Sequence, residues 1–164
     1  MSSSFSGTSN VEGTTTTYDT TNNKVVIAYK RVSSNEGKAV VGTVSGNSIT
    51  FGSEVLVAAG SEYFDATFDP DEGKVVLFYY NGSGAQAVVG TVSGTSISFG
   101  TPVQFDSGFN YYFSSVYDTT NNKVVVAWTD PGGNGNGMSV VGTVSGTSIS
   151  FGTSVVFHAN SNTP

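Results

Sequence analysis

Short apolar runs, broken at regular intervals by turn residues, extend along the whole chain. In the last third they cover Tyr112–Asp118, Lys123–Asp130, Ser139–Val144 and Ser148–Phe157. Valine, isoleucine, aromatic residues and threonine dominate these runs, and such side chains suit the pleated surface of a β-strand. The intervening Asn-, Gly- and Ser-rich segments are typical of tight hairpins. No window combines a helical period with capping residues, so the pattern predicts an all-β chain.

This pattern of runs and turns occurs three times. The heptapeptide Val-Val-Gly-Thr-Val-Ser-Gly begins at Val40, Val88 and Val140. Four antiparallel strands in roughly 50 residues, repeated in tandem, match a β-propeller blade. A β-helix would use shorter coils, and an immunoglobulin-like sandwich would not repeat internally. We therefore predict one repeat domain, residues 1–164, with four-stranded antiparallel blades at about 11–57, 62–105 and 111–157.

Three blades are too few to close a ring, because closed propellers have typically four to eight. Ser2–Phe5 resembles the stump of a fourth strand, and Phe157–Pro164 resembles the start of a connector to a next blade. Two copies joined head to tail through their terminal blades would form a six-bladed homodimer with a two-fold axis. A nine-bladed trimer and a fragment of a longer array remain alternatives.

Composition limits the partners. The chain has 6 basic and 12 acidic residues, a net charge of −6, and no cluster of cations. Nucleic acid is therefore not an expected partner. No stretch approaches the roughly 18 apolar residues of a spanning helix, so no membrane insertion is expected. Met1–Phe5 lacks the basic and apolar parts of a signal peptide, and zero cysteines exclude disulfides but leave the compartment undetermined.

The most variable loops of the three units fall at one end of the predicted blades. The second–third and fourth–first connections meet there, whereas the turns at the other end are short and nearly invariant. A specialised binding rim would give this pattern, and so would relaxed constraint on exposed loops. Aromatic faces beside amides and carboxylates suit sugar rings. Candidate ligand-binding residues at this end are Tyr63, Tyr111, Tyr112, Asn81, Asp130 and Asn134. Tyr29, Tyr79 and Trp128 occupy one equivalent position in all units and are expected in the core.

The search for reactive groups predicts no catalytic residue, no metal site and no cofactor. His158 is the only histidine, which argues against a Ser-His-Asp triad, and we expect it in a solvated connector. The acidic run Asp69–Glu72 lacks a calcium-loop pattern and is interpreted as a hairpin turn. Asp19, Asp69 and Asp118 recur with the repeat and are expected to cap their turns. The chain is therefore predicted not to be an enzyme, and a glycoside-acting enzyme is the weakest alternative.

The repeat units resemble tandem β-propeller repeats in large proteins of marine phages, their hosts and other bacteria. The resemblance covers Phe5 to Phe157 and rests on motifs such as Tyr-Asp-Thr-Thr-Asn-Asn-Lys-Val-Val and the heptapeptide. It implies a phage tail-fibre or cell-surface adhesion module, located on a virion or an extracellular surface. Two functional hypotheses follow: a self-associating, glycan-recognising or adhesive module, and a purely structural half-propeller, natural or engineered, without a ligand.

Overall fold

The computed structural model describes residues 10–132 and 134–160. These residues form fifteen β-strands in three antiparallel sheets, and the described residues contain no helix. The all-β prediction is therefore confirmed. No helix in the described part of the chain could cross a membrane. Ser2–Phe5 and residues 161–164, which were predicted to complete connections between blades, lie outside the described residues.

Each repeat unit forms one sheet. The first contains β1 (Val11–Asp19), β2 (Lys24–Arg31), β3 (Glu36–Ser45), β4 (Ser48–Phe51) and β5 (Val55–Ala59). The second contains β6 (Glu62–Asp69), β7 (Lys74–Tyr80), β8 (Gly84–Ser93), β9 (Ser96–Phe99) and β10 (Val103–Ser107). The third contains β11 (Tyr111–Asp118), β12 (Lys123–Asp130), β13 (Asn136–Ser145), β14 (Ser148–Phe151) and β15 (Val155–His158).

The predicted continuous fourth strand, Ser148–Phe157, is wrong. Two short strands, β14 and β15, occupy this place, and both pair with β13. At the break, the Gly152 amide leaves the strand pattern and donates a hydrogen bond to the carbonyl oxygen of Val141 (3.0 Å). The other two sheets have the same break. The third strand is also longer than predicted, since β13 begins at Asn136.

Aspartates close the turns between the first and second strands. In the third unit, Asp118 Oδ1 accepts hydrogen bonds from the amides of Thr120 (2.9 Å) and Asn121 (3.2 Å). These bonds and the Asn121 side chain hold the pKa of the Asp118 carboxyl below its ordinary value. Asp19 and Asp69 accept equivalent bonds from the amides of their own turns. The predicted capping role is confirmed for all three aspartates.

The second sheet is buried on both faces, because the other two sheets pack against it. Side chains alternate along β7: Val75 and Leu77 belong to the core shared with the first sheet, whereas Val76 and Phe78 belong to the core shared with the third. A continuous apolar run is what a strand covered on both sides requires.

The three sheets stack in the same orientation. The first strand of the middle sheet, β6, contacts both β1 and β11, so the three first strands are neighbours. Tyr29, Tyr79 and Trp128 are at most 8% exposed, which confirms that they belong to the core. This arrangement is compatible with consecutive blades of a β-propeller.

Candidate functional site

All six predicted ligand-binding residues lie near one end of the sheets, which we call the upper edge. It is the end at which the first strand of each sheet begins. Antiparallel pairing brings the second–third loops and the connections between sheets to the same edge. The topology therefore gathers the variable loops on one side of the molecule.

A β-bulge shapes the start of each first strand. The pairing register shifts between Glu12 and Thr15 in β1, and equivalent shifts occur in β6 and β11. The residue within each bulge has a left-handed backbone: Gly13 (φ 57°), Tyr63 (φ 55°) and Tyr112 (φ 57°). Glycine adopts this conformation freely, whereas a bulky side chain at positive φ is a true outlier. Two exposed tyrosines are thus held in a backbone conformation that disfavours them.

Five aromatic rings form a cluster at the upper edge of the second and third sheets. Tyr63 contacts Phe109 and Tyr111, each at 6.1 Å between ring centroids. Phe109 contacts Tyr80 at 5.0 Å and Tyr111 at 5.4 Å, and Tyr111 contacts Tyr112 at 4.5 Å. The structure therefore brings together three of the six predicted site residues. Tyr112 is 74% exposed, whereas Tyr111 is half-buried because its neighbours cover it.

A cleft of about 180 Å³ opens between the first two sheets, next to this cluster. Its lining consists of Glu12, Gly13, Lys30, Glu62 and Tyr63. Lys30 Nζ forms a salt bridge with Glu62, so one carboxylate of the lining is neutralised in place. Glu12 is exposed at the start of β1. The lining thus combines an ion pair and a further carboxylate with Gly13 and Tyr63, the residues within two neighbouring bulges.

The equivalent place between the second and third sheets holds a different set of residues. Strand pairing makes Tyr63 the counterpart of Gly13, Tyr80 the counterpart of Lys30, and Tyr111 the counterpart of Glu62. Tyr63 and Tyr111 contact each other there, and Phe109 packs against both of them and against Tyr80. Aromatic rings therefore occupy the position that is open between the first two sheets.

The three polar candidates, Asn81, Asp130 and Asn134, lie in or beside loops of the upper edge. Asn81 Oδ1 accepts hydrogen bonds from the amides of Ser83 (3.0 Å) and Gly84 (3.1 Å), so it closes its own loop. The Asp130 carbonyl accepts a bond from the Gly135 amide (3.0 Å). Asn134 is exposed, with a left-handed φ of 64°. Asn81 and Asp130 thus support loops of the upper edge.

Two carboxyls at the boundaries between sheets have raised pKa values. Burial raises the pKa of Asp65, on β6. Burial and the nearby Asp130 carboxylate raise the pKa of Asp106, on β10. Asp65 Oδ2, Asp106 Oδ2 and Asn110 Oδ1 are buried without a hydrogen-bond partner. Within residues 10–132 and 134–160, no group of three His, Cys, Asp or Glu side chains is arranged to hold a metal ion.

The acidic turn Asp69–Glu72 of the second sheet contacts the third sheet at the lower edge, which is the end of the sheets opposite the upper edge. Asp71 Oδ2 accepts a hydrogen bond from the Tyr117 hydroxyl (3.0 Å), and Glu72 Oε2 accepts one from the Gly146 amide (3.2 Å). Burial and the bond to Asp71 raise the pKa of Tyr117. Since these carboxylates contact the third sheet, the turn has a structural use. His158 is exposed as predicted, but it ends strand β15 and pairs with Gly137 instead of lying in a connector.

Sequence reasoning missed the charged lining of the cleft and two rings of the aromatic cluster. These residues are Glu12, Lys30, Glu62, Tyr80 and Phe109. An alignment of the three units could have indicated this place, because it puts Gly13 at the position that Tyr63 and Tyr112 occupy in the other two units. Phe109 is the extra residue in the second connection between sheets, which is one residue longer than the first.

Comparisons with known proteins give no assignment. No protein-family model matches the chain, no curated protein matches it, and no solved structure matches it.

Proposed function

We propose that this chain is a non-enzymatic half-propeller that joins a second copy head to tail and presents its upper edge for recognition of glycans or another cell-surface ligand. The three stacked, similarly oriented sheets support the blade interpretation. The observation that carries the self-association is the unequal exposure of equivalent residues in the three sheets.

The first sheet has an uncovered apolar face. Val44 is 55% exposed and Ile49 is 36% exposed. Their counterparts in the second sheet, Val92 and Ile97, are 5% and 3% exposed because the first sheet covers them. Identical positions of the repeat are thus buried where a preceding sheet is present and open where it is missing.

The third sheet has the complementary uncovered face. Val141 is 47% exposed, whereas its counterparts Val41 and Val89 are buried against the following sheet. Val155 and Phe157 are exposed on the same sheet, at 58% and 64%. In the first two sheets, the equivalent face packs against the sheet that follows.

A second copy of the chain fits both uncovered faces. The face of the third sheet and the face of the first sheet are the two sides of an interface that the chain already forms twice internally. Contiguous exposed apolar surface of this kind marks an association site. Burying several hundred Å² at each junction would contribute on the order of 10 kcal/mol before association costs. Two junctions related by a two-fold axis would close a ring of six blades.

The placement of the reactive side chains supports a non-enzymatic function. His158 lies on the outer strand β15, whereas the cleft and the aromatic cluster lie where the inner strands begin. The carboxylates of Asp69–Glu72 and Asp118 are engaged in turns and in contacts between sheets.

A pair of matched substitutions tests the junction. Val141→Asp would place a charge in the proposed interface, where burial of an unpaired carboxylate is strongly unfavourable. Val156→Asp is the control, because Val156 and its counterparts Leu56 and Gln104 are exposed in all three sheets. Mass in solution is read by light scattering, and folding by far-ultraviolet circular dichroism.

We expect the Val156→Asp protein to keep a mass near twice 16.9 kDa and the Val141→Asp protein to have the mass of one folded chain. A folded Val141→Asp protein that remains a dimer would exclude this face from the interface.

A further inference from the structure

We propose that the boundary between the second and third sheets holds one calcium ion per chain, bound at the upper edge by the side-chain oxygens of Asp106, Asn110 and Asp130. This site goes beyond the recognition role proposed above. It lies within a single chain, so it does not require the second copy. Sequence pattern alone predicted no metal site, because the two carboxylates belong to strands of different sheets.

Two carboxylates of like charge lie close together at this boundary. Asp106 is on β10 of the second sheet, and Asp130 ends β12 of the third. Burial and, after it, the nearby Asp130 carboxylate raise the pKa of Asp106, and Asp106 Oδ2 is buried without a hydrogen-bond partner. Within residues 10–132 and 134–160, the salt bridges all involve other carboxylates. Two neighbouring carboxylates without a counter-charge repel each other, and a bound cation would remove this repulsion.

Asn110 adds an amide oxygen at the same place. The residue is 0% exposed, and its side chain lies against Asp106, closely enough to oppose the rise in the pKa of that carboxyl. Asn110 Nδ2 donates a hydrogen bond to the Gly108 carbonyl oxygen (3.1 Å), whereas Asn110 Oδ1 is buried without a partner. A buried amide oxygen is costly unless a donor or a cation satisfies it. The three side chains thus offer oxygen atoms of the kind that a hard cation binds.

The equivalent boundary between the first two sheets shows what the repeat has without these residues. Strand pairing gives the counterparts there: Ala58 for Asp106, Ser61 for Asn110 and Asn81 for Asp130. Ser61 Oγ donates a hydrogen bond to the Ala58 carbonyl oxygen (3.1 Å), and Asn81 Oδ1 accepts bonds from the amides of its own loop. The three positions therefore differ together, from a satisfied set without charge to two carboxylates and an unpartnered amide oxygen.

This set of ligands favours calcium over other cations. Calcium takes about six to eight oxygen ligands from carboxylates, amides, backbone carbonyls and water, in a flexible geometry, whereas magnesium demands a near-ideal octahedron. Two carboxylates balance the charge of one Ca²⁺ ion. The described residues contain no group of three acidic, His or Cys side chains arranged for a metal, so we expect weak binding. A dissociation constant of about 0.1–1 mM is typical of calcium sites in extracellular modules.

The direct test is a titration of the purified full-length chain with calcium chloride, in about 0.15 M NaCl to screen non-specific attraction. Calorimetry gives the stoichiometry and the dissociation constant, and magnesium chloride is the comparison. Trp128 is the only tryptophan of the chain and lies beside Asp106, so its fluorescence reports on this site. It should also sensitise the luminescence of bound terbium, an ion that resembles calcium. We expect one Ca²⁺ per chain, a change in Trp128 fluorescence, and binding of Mg²⁺ at least about tenfold weaker.

Two substitutions taken from the repeat itself locate the site. Asp130→Asn copies Asn81, and Asp106→Ala copies Ala58. Each removes one of two carboxylates and should weaken calcium binding at least about tenfold. Glu12→Gln is the control, because it removes an exposed carboxylate at the upper edge of the first sheet. It should leave the dissociation constant unchanged. Circular dichroism checks that every variant is folded.

The proposal is overturned if the chain binds no calcium at about 10 mM, and an ordered water would then be the partner of the buried acceptors. It is also overturned if the folded Asp130→Asn and Asp106→Ala proteins bind calcium as tightly as the original chain. An equal loss in Glu12→Gln would show attraction by the net charge of −6 instead of a site. Equal affinity for Mg²⁺ would contradict the choice of calcium.

Discussion

Tyr63 and Tyr112 have left-handed backbone angles in β-bulges where the first unit has Gly13. This conformation brings Cβ too close to the following carbonyl oxygen and costs roughly 1–2 kcal/mol per residue. Tyr112 is 74% exposed, so burial of its side chain does not offset that cost. Strained residues that contribute little to the core are concentrated at binding sites. The two tyrosines therefore support a recognition role for the upper edge.

The strain at Tyr112 predicts an unusual order of stabilities. Glycine in place of a side chain normally destabilises a strand. Tyr112→Gly and Tyr112→Ala both lose the ring contact with Tyr111, but only the glycine relieves the left-handed angle. We expect the Gly variant to be about 1 kcal/mol more stable than the Ala variant. Urea unfolding followed by circular dichroism measures the difference. An Ala variant of equal or greater stability would contradict the strain.

Residue pattern alone could locate part of this site. Aromatic residues where a connection enters the first strand indicated Tyr63, Tyr111 and Tyr112, and the structure brings these rings together. The pattern could not reveal that the Asn81 side chain closes its own loop, since a free and a loop-closing asparagine look the same in a sequence. It also could not give the pairing of Lys30 with Glu62, because 32 residues separate them and only the stacking of sheets makes them neighbours.

At the scale of the elements, the glycine at the break of the outer strand contacts the neighbouring sheet in the first two units. A Cβ atom on Gly100 would lie 2.0 Å from the Thr147 carbonyl oxygen in the β13–β14 turn, and one on Gly52 would lie 1.8 Å from the Thr95 carbonyl oxygen. The sequence after Phe151 continues with β-forming residues and so predicts one long strand. The break also occurs at Gly152, where no hairpin approaches, so it forms within the unit, with the glycine amide bonded to the third strand. The approach of a hairpin to Gly52 and Gly100 is a separate contact between units and is not encoded locally.

Gly152 is the equivalent glycine of the third sheet, and a Cβ atom there would meet no neighbour closer than 3.8 Å. We therefore expect Gly100→Ala to destabilise the chain by about 1–3 kcal/mol through overpacking. Gly152→Ala should change the free energy of unfolding by less than about 0.5 kcal/mol. Urea unfolding of both variants in the Val141→Asp background, where one chain is expected in solution, compares them without a contribution from self-association.

Gly152, at the break in the outer strand of the third sheet, would also lie in the proposed junction with a second copy. In a head-to-tail junction, Asn47 of a second copy would take the place that Thr147 takes against Gly100, since Asn47 and Thr147 are equivalent turn residues. Gly152→Ala alone should therefore weaken the dimer while leaving the chain folded. An unchanged dissociation constant of the dimer, from sedimentation velocity, would show that the junction does not copy the internal contacts.

The whole molecule is a stack of three sheets with two complementary apolar ends. Its repeat could be derived from sequence with little loss: three units, four strand positions each, aspartate-capped turns, and a core at the Tyr29, Tyr79 and Trp128 positions. Regular repetition makes this possible, because each unit independently carries the same pattern. What covers the two ends is a property of the proposed assembly and cannot be derived from one unit; the unequal exposure of Val44, Val92 and Val141 supports the proposal that a second copy covers them.

The most direct test of this account is the mass of the unmodified chain in solution, followed by sedimentation equilibrium over a dilution series. We predict a single species near twice 16.9 kDa that dissociates into folded single chains only at the lowest concentrations. A folded chain that remains at 16.9 kDa at every concentration, or a ladder of ever larger species that grows with concentration, would contradict ring closure by two copies.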